Sequence, residues 1–158
     1  MNVIVKLDEK ITEKLKILLI GERCIPEKYI SIVKGSNIYK KISLLPIQKD
    51  IENYFNALDI FVHPARIEEF GRVVLEAMAC GCPVITNTNV GASELIISGK
   101  EHCIYSSNDE EMLKSHIQDL ICNPKLRQQL SESNHQQSKL YSENNTYKYF
   151  DKLFNSNI

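Results

Sequence analysis

The chain has 158 residues, a length that suits one domain with a core of its own. With 19 basic and 20 acidic residues the net charge is −1, so no broad positive field collects nucleic acid and no nucleic-acid partner is expected. The composition, 43% hydrophobic and 25% charged, is that of an ordinary globular protein; no apolar run is long enough to cross a bilayer, no basic-then-apolar leader opens the chain, and a cytoplasmic protein is the default expectation.

In chain order, Val3–Leu15 carries apolar residues at helical spacing (Ile4, Leu7, Ile11, Leu15). Ile17–Ile20 is a short apolar strand ended by Gly21, and Pro26–Val33 predicts a helix with Pro at its first turn. Ile42–Leu45 reads as a strand, Gln48–Leu58 as a helix, and Ile60–His63 as a strand stopped by Pro64. Gly71–Cys80 predicts a helix ended by Gly81. A strand at Pro83–Thr86, a short helix at Ser93–Ile97 and a strand at Cys103–Tyr105 follow. Asn108–Ile121 predicts a helix in which Asn108 and Glu111 make a capping-box-like start. Pro124–Tyr141 and Asn145–Phe154 complete the series; the Ser, Asn and Gln of 131–145 fit a solvated helix and a loose link equally well.

Short apolar strands alternating with helices imply an α/β fold, a parallel sheet covered on both faces, with ligands outside the carboxyl ends of the strands. Residues 1–142 are expected to form the domain and 143–158 a C-terminal helix. Its Tyr147, Phe150 and Phe154 make one stripe that folds back on the sheet or stays open for a partner. The five cysteines are an odd number, and only Cys80 and Cys82 are close; C-x-C with no second pair is a poor metal signature, so buried free thiols and no metal are expected.

The informative residue is Glu76. Val73, Val74, Leu75, Ala77, Met78 and Cys80 surround it, a pattern that predicts a helix buried on most sides. A carboxylate there requires a partner or a cleft. The plain partner is Arg72, one turn earlier, in a weak i, i+4 pair. The functional partner is a ligand's vicinal diol, whose two hydroxyls each donate to one carboxylate oxygen. At the start of the same helix, Gly71 lets the amides around Phe70–Val73 approach a ligand, and the helix dipole favours anionic or electron-rich oxygens. Glu68 precedes this turn, and Glu76 lies roughly 7–8 Å beyond Gly71 along the axis. The two carboxylates can therefore hold opposite ends of an extended ligand. The plainer alternative for Glu68 and Glu69 is charge stabilisation of the helix terminus.

These residues resemble a known family. Ile60–Val90 is similar to the donor-binding core of GT-B glycosyltransferases of the family 4 group, glycosyl transferases group 1. The resemblance rests on Glu68, seven residues, then Glu76, together with Phe70-Gly71, Glu76–Gly81, Pro83-Val84 and the turn Asn89–Glu94. It implies a single Rossmann-like domain, the C-terminal half of a GT-B fold. It further implies a retaining transferase that takes a nucleotide-diphosphate sugar as donor, with no cofactor and no metal. Glu68 would hold the donor sugar's hydroxyls as the catalytic carboxylate, the amides of Phe70, Gly71 and Arg72 would meet sugar and diphosphate, Glu76 the ribose diol, and Val73 the nucleotide pocket.

The resemblance also implies a missing partner: an N-terminal glycosyltransferase domain or chain carrying the acceptor site, with peripheral membrane association through that half. The first strand of the donor half is absent, with the phosphate-binding cations that the family places there. Gly21-Glu22-Arg23 stands where a Gly-x-Gly turn is usual, and Ala65 where Ser is frequent. A catalytically incomplete donor-binding domain is the leading expectation; a non-catalytic binding or scaffold module is the alternative. His63 is expected to pack rather than react, and His102, His116 and His135 look peripheral.

Overall fold

The structure is a computed structural model that describes residues 2–21, 24–142 and 145. Asn2–Val5 (α1) and Glu9–Thr12 (α2) lead into Ile17–Ile20 (β1). Glu27–Lys34 (α3) and a 3-10 turn at Asn37–Lys41 connect it to Ile42–Leu45 (β2). Ile51–Ala57 (α4) leads to Phe61–His63 (β3), and Arg72–Ala79 (α5) to Val84–Asn87 (β4). A 3-10 turn at Gly91–Leu95 and the short helix Lys100–Cys103 (α6) run into Ile104–Tyr105 (β5), after which come Glu110–Cys122 (α7), Pro124–Ser138 (α8) and a final 3-10 turn, Lys139–Tyr141.

Every strand pair is parallel. Ile17 stands opposite Ile42, Phe61 opposite Val84, and Thr86 opposite Ile104. The fold is thus a single α/β domain with parallel pairing flanked by helices. The pairing falls into two sheets, β1-β2 and β3-β4-β5. All four residues of β4 are buried. Successive strand residues point to opposite faces, so both faces are covered, and α5, α6 and α7 pack against this strand. β1 and β3 are just as apolar, yet every residue in them is only half-buried. Each pairs on one side alone among the described residues. The core runs from Val74 and Met78 of α5 through Ile85 of β4 to Leu120 of α7 and Leu130 of α8.

Several local expectations are corrected. The first helical stretch breaks in two because the Asp8 carboxylate accepts from the Lys10 amide at 2.9 Å and caps a new helix. Asp109, not Asn108, caps α7, accepting from the Met112 amide at 2.8 Å. The short helix expected at Ser93–Ile97 is a 3-10 turn that begins at Gly91, and α6 stands in front of β5. Cys82 and Cys103 are buried, and burial pushes both thiols up to about 12, but Cys24 and Cys122 are exposed.

The polar stretch after residue 130 is helical through Ser138, for a tertiary reason. Leu130, Asn134 and Ser138 form one buried stripe against the end of α5. The Asn134 Nδ2 donates to the Cys82 carbonyl at 3.0 Å, and the His135 Nδ1 to the Ala79 carbonyl at 2.8 Å. His135 thus ties α8 to α5, and His116 is buried with Nε2 3.2 Å from the Ile104 carbonyl. Beyond Ser142 only Asn145 is described, so the expected C-terminal helix with Tyr147, Phe150 and Phe154 lies outside the described residues, as does Glu22. Replacing Asn134 by Leu leaves the buried Cys82 carbonyl without its donor. Urea unfolding is expected to show a loss of about 1–3 kcal/mol, and an unchanged midpoint contradicts this role for α8.

Candidate functional site

The site is built on the loop that follows β3. Residues Arg66–Phe70 are all exposed, and such a loop has little apolar burial to order it. Polar groups at the end of β4 order it instead. The Thr86 hydroxyl donates to the His63 carbonyl at 3.2 Å, and the Asn87 Nδ2 donates to the Ala65 carbonyl. Asn87 is fully buried, and its Oδ1 accepts from the Asn89 amide at 2.9 Å. The Asn89 Nδ2 donates to the Arg66 carbonyl at 3.2 Å and to the Ser107 hydroxyl at 3.0 Å.

The two loops then pair through their backbones. The Glu68 amide donates to the Asn89 carbonyl at 3.1 Å, the Gly91 amide to the Glu68 carbonyl at 3.1 Å, and the Ala92 amide to the Phe70 carbonyl at 2.6 Å. This approach leaves no room at Gly91, where a Cβ would fall 2.1 Å from the Glu69 carbonyl oxygen. None of Thr86, Asn87, Asn89 and Gly91 is a site residue in the sequence reading. The signal available there is the Thr-Asn-Thr-Asn run that ends an otherwise apolar strand.

Gly71 ends the loop and begins α5. Its φ is +84°, in the left-handed region, and a Cβ would lie 2.9 Å from Val90 Cγ1 and 3.2 Å from Glu68 Cγ. No side chain caps this helix terminus, so its first-turn amides have no side-chain acceptor; Gly71 itself is buried. The expectation of a helix buried on most sides is corrected. Val74, Ala77 and Met78 are buried, whereas Arg72, Glu76 and Ala79, at i, i+4 and i+7, form an open outer stripe. Glu76 is therefore an exposed carboxylate rather than one embedded in a wall. Its contact with Arg72 is 4.0 Å, longer than a hydrogen bond, and the Arg72 side chain is 87% exposed. The ion pair leaves the Glu76 oxygens open to a ligand. Val73 is half-buried beside this stripe, and Glu68, Glu69 and Phe70 are exposed.

The structure adds His63 to this group. It ends β3, its ring stacks with Phe61 at 6.1 Å, and its Nε2 is buried with no hydrogen-bond partner. That nitrogen is 3.8 Å from the point where a Gly71 Cβ would sit. Burial holds the imidazole pKa below its ordinary value, opposed by the charge of Glu68. Among the described residues no group of three His, Cys, Asp or Glu is arranged to hold a metal ion. Cavities of about 280 and 630 Å³ lie beside Cys80 and Arg127 and beside His102 and Asn123, and neither is lined by Glu68, Gly71 or Glu76.

Residues 1–137 match the family model of the glycosyl transferases group 1. The chain belongs to this family. An uncharacterized glycosyltransferase of Methanocaldococcus jannaschii is 32% identical over 126 residues, which cover 78% of this chain and 36% of that protein. The capsular polysaccharide biosynthesis glycosyltransferase CapM of Staphylococcus aureus is 29% identical, over 75% of this chain and 32% of its own. The chain spans about a third of the length of these relatives. Among solved structures, Anabaena HepE in complex with UDP superposes with a TM-score of 0.78 at 20% identity, over 98% of this chain and 43% of that one. WaaG, a glycosyltransferase involved in lipopolysaccharide biosynthesis, gives 0.77 at 20% identity, over 87% and 37%. The fold is the Rossmann-like C-terminal half of the GT-B architecture, as the group 1 resemblance implies. Among its described residues no helix is long and apolar enough to cross a membrane.

Two outcomes follow for this group 1 domain. Gly91→Ala is expected to push the Glu68–Phe70 segment off the β4 end, read as faster amide exchange at Glu68 and Ala92; unchanged exchange there refutes the close-packed pairing. The second concerns His63. Its folded pKa lies below the unfolded value near 6.5, so between the two the unfolded chain binds a proton that the folded chain does not. Stability therefore falls as pH drops through that window. Urea unfolding from about pH 7.5 to 5 is expected to show a loss that His63→Gln reduces, and identical pH dependence in both chains contradicts it.

Proposed function

We propose that this chain is the donor-binding half of a retaining glycosyltransferase, which takes a nucleoside-diphosphate sugar as donor and needs no metal or other cofactor. One observation carries this reading: the uncapped N-terminus of α5, with Glu68 pinned in front of it and Glu76 open just over one turn along. Glu68 accepts from the sugar's hydroxyls and is the carboxylate nearest the reacting carbon. The amides of Phe70, Gly71 and Arg72 meet the diphosphate, where the helix dipole favours negative charge. Glu76 takes the ribose diol, and Val73 lines the nucleotide. Family membership supports the assignment, as do the UDP and UDP-glucose named for HepE complexes of the same fold.

The reading includes a second half, in a preceding domain or a separate chain, that brings the acceptor site, the phosphate cations and any contact with a membrane surface. The half-exposed apolar strands β1 and β3, each paired on one side, support it. So do Ile47 and Ile67, 85% and 83% exposed on the loops beyond β2 and β3. A non-catalytic binding module is the second reading. It is favoured by the charge around the site: residues 60–99 carry two arginines and no lysine against four glutamates, which leaves a departing diphosphate poorly stabilised.

Calorimetric titration with uridine, guanosine and adenosine diphosphates and their sugars tests the common part. Glu76→Ala is expected to lower nucleotide affinity at least tenfold, about 1.4 kcal/mol or more, and unchanged affinity refutes the diol assignment. Sugar transfer to any acceptor by this chain excludes the non-catalytic reading.

A further inference from the structure

The reading above gives His63 no role, yet its Nε2 is the one polar atom at this end of β3 that is buried without a hydrogen-bond partner. An orphaned buried nitrogen is costly, and such groups mark a contact made in another state of the site. The surroundings limit what that contact is. On one side lies the ring of Phe61, which offers no acceptor. The Thr86 hydroxyl already donates to the His63 carbonyl. On the other side is the Gly71 turn, where one point lies 2.9 Å from Val90 Cγ1, 3.2 Å from Glu68 Cγ and 3.8 Å from His63 Nε2. Val90 is apolar, so the acceptor that can swing to this nitrogen is the Glu68 carboxylate, one bond beyond Cγ. Both backbones are fixed, His63 by Thr86 and Glu68 by Asn89 and Gly91, so only side-chain rotation is needed.

We propose that His63 is the positioning residue for Glu68: when donor occupies the site, its Nε2–H donates to one carboxylate oxygen and leaves the other for a sugar hydroxyl. An imidazole held neutral carries a single N–H, and placing it on Nε2 supplies the donor that the carboxylate needs. The carboxylate is then fixed in rotation as well as in place, and the free oxygen discriminates the sugar rather than the nucleotide. The small glycine at position 71 keeps the path between the two groups open.

This proposal rests on the assignment of Glu68 to the donor sugar, and its test separates the two. The chain is titrated calorimetrically with UDP-glucose and UDP, and with GDP-mannose and GDP, and the pair it binds is used. The unaltered chain is expected to prefer the sugar nucleotide over its diphosphate. His63→Ala is expected to lose at least fivefold of that preference with diphosphate affinity unchanged, and His63→Gln, which keeps an N–H near the Nε2 position, to recover most of it. Circular dichroism melting of both variants confirms that they fold. A His63→Ala chain that keeps the preference, or that weakens sugar nucleotide and diphosphate equally, overturns the positioning role. An unaltered chain without any preference, or a Glu68→Gln chain that retains it, overturns the Glu68 assignment and the proposal with it.

Discussion

The site depends on the backbone pairing between the loop after β3 and the loop after β4. Exposed loop residues cost roughly 1–2 kcal/mol each to order, and this loop has almost no apolar burial to offset that. Its order comes from three backbone hydrogen bonds and three polar side chains, Thr86, Asn87 and Asn89, all presented by the end of one fully buried strand. A buried asparagine at that position, donating to the Ala65 carbonyl and accepting from the Asn89 amide, is held rigidly because losing either bond leaves a buried polar group unmatched. Glu68 is thereby held at a defined distance from the start of α5 even though its own side chain is solvated.

The same pairing explains the two glycines. Gly91 is required by the approach of a carbonyl oxygen, Gly71 by a left-handed backbone that turns the chain into α5. One sets the spacing of the loops and the other sets the direction of the helix. Together they leave an uncapped helix terminus beside a carboxylate, an arrangement in which fixed dipoles and a hydrogen-bond acceptor face the same open space. His63 lies beside this arrangement, its Nε2 buried without a hydrogen-bond partner.

Glu68 and Glu76 are exposed, two apolar strands have half-buried faces, and the outer stripe of α5 is solvated. A surface of this kind binds through a few directed hydrogen bonds and gains strength only when water is excluded from it, since charges and dipoles act more strongly in a low dielectric.

The sequence by itself determined the strand–helix alternation, the placement of the five strands among the described residues, each within a residue or so, and the position of α5, because apolar periodicity and glycine punctuation act locally. It also carried the position of Glu76 along α5, since a helix converts residue separation into distance at about 1.5 Å per residue. Burial around Glu76 was not legible: Val73 and Leu75 look like wall in sequence, but which residues of a helix meet the core depends on what packs against it, and here α8, β4, α4 and the Gly91–Leu95 turn leave Arg72, Glu76 and Ala79 exposed. The helicity of the polar segment after Leu130 was decided by Asn134 and His135 reaching the carbonyls of Cys82 and Ala79, contacts more than fifty residues away in the chain. Only the tertiary structure brought Asn87, Asn89 and Gly91 to the loop that holds Glu68, because hydrogen bonds between distant loops leave no periodic trace in sequence.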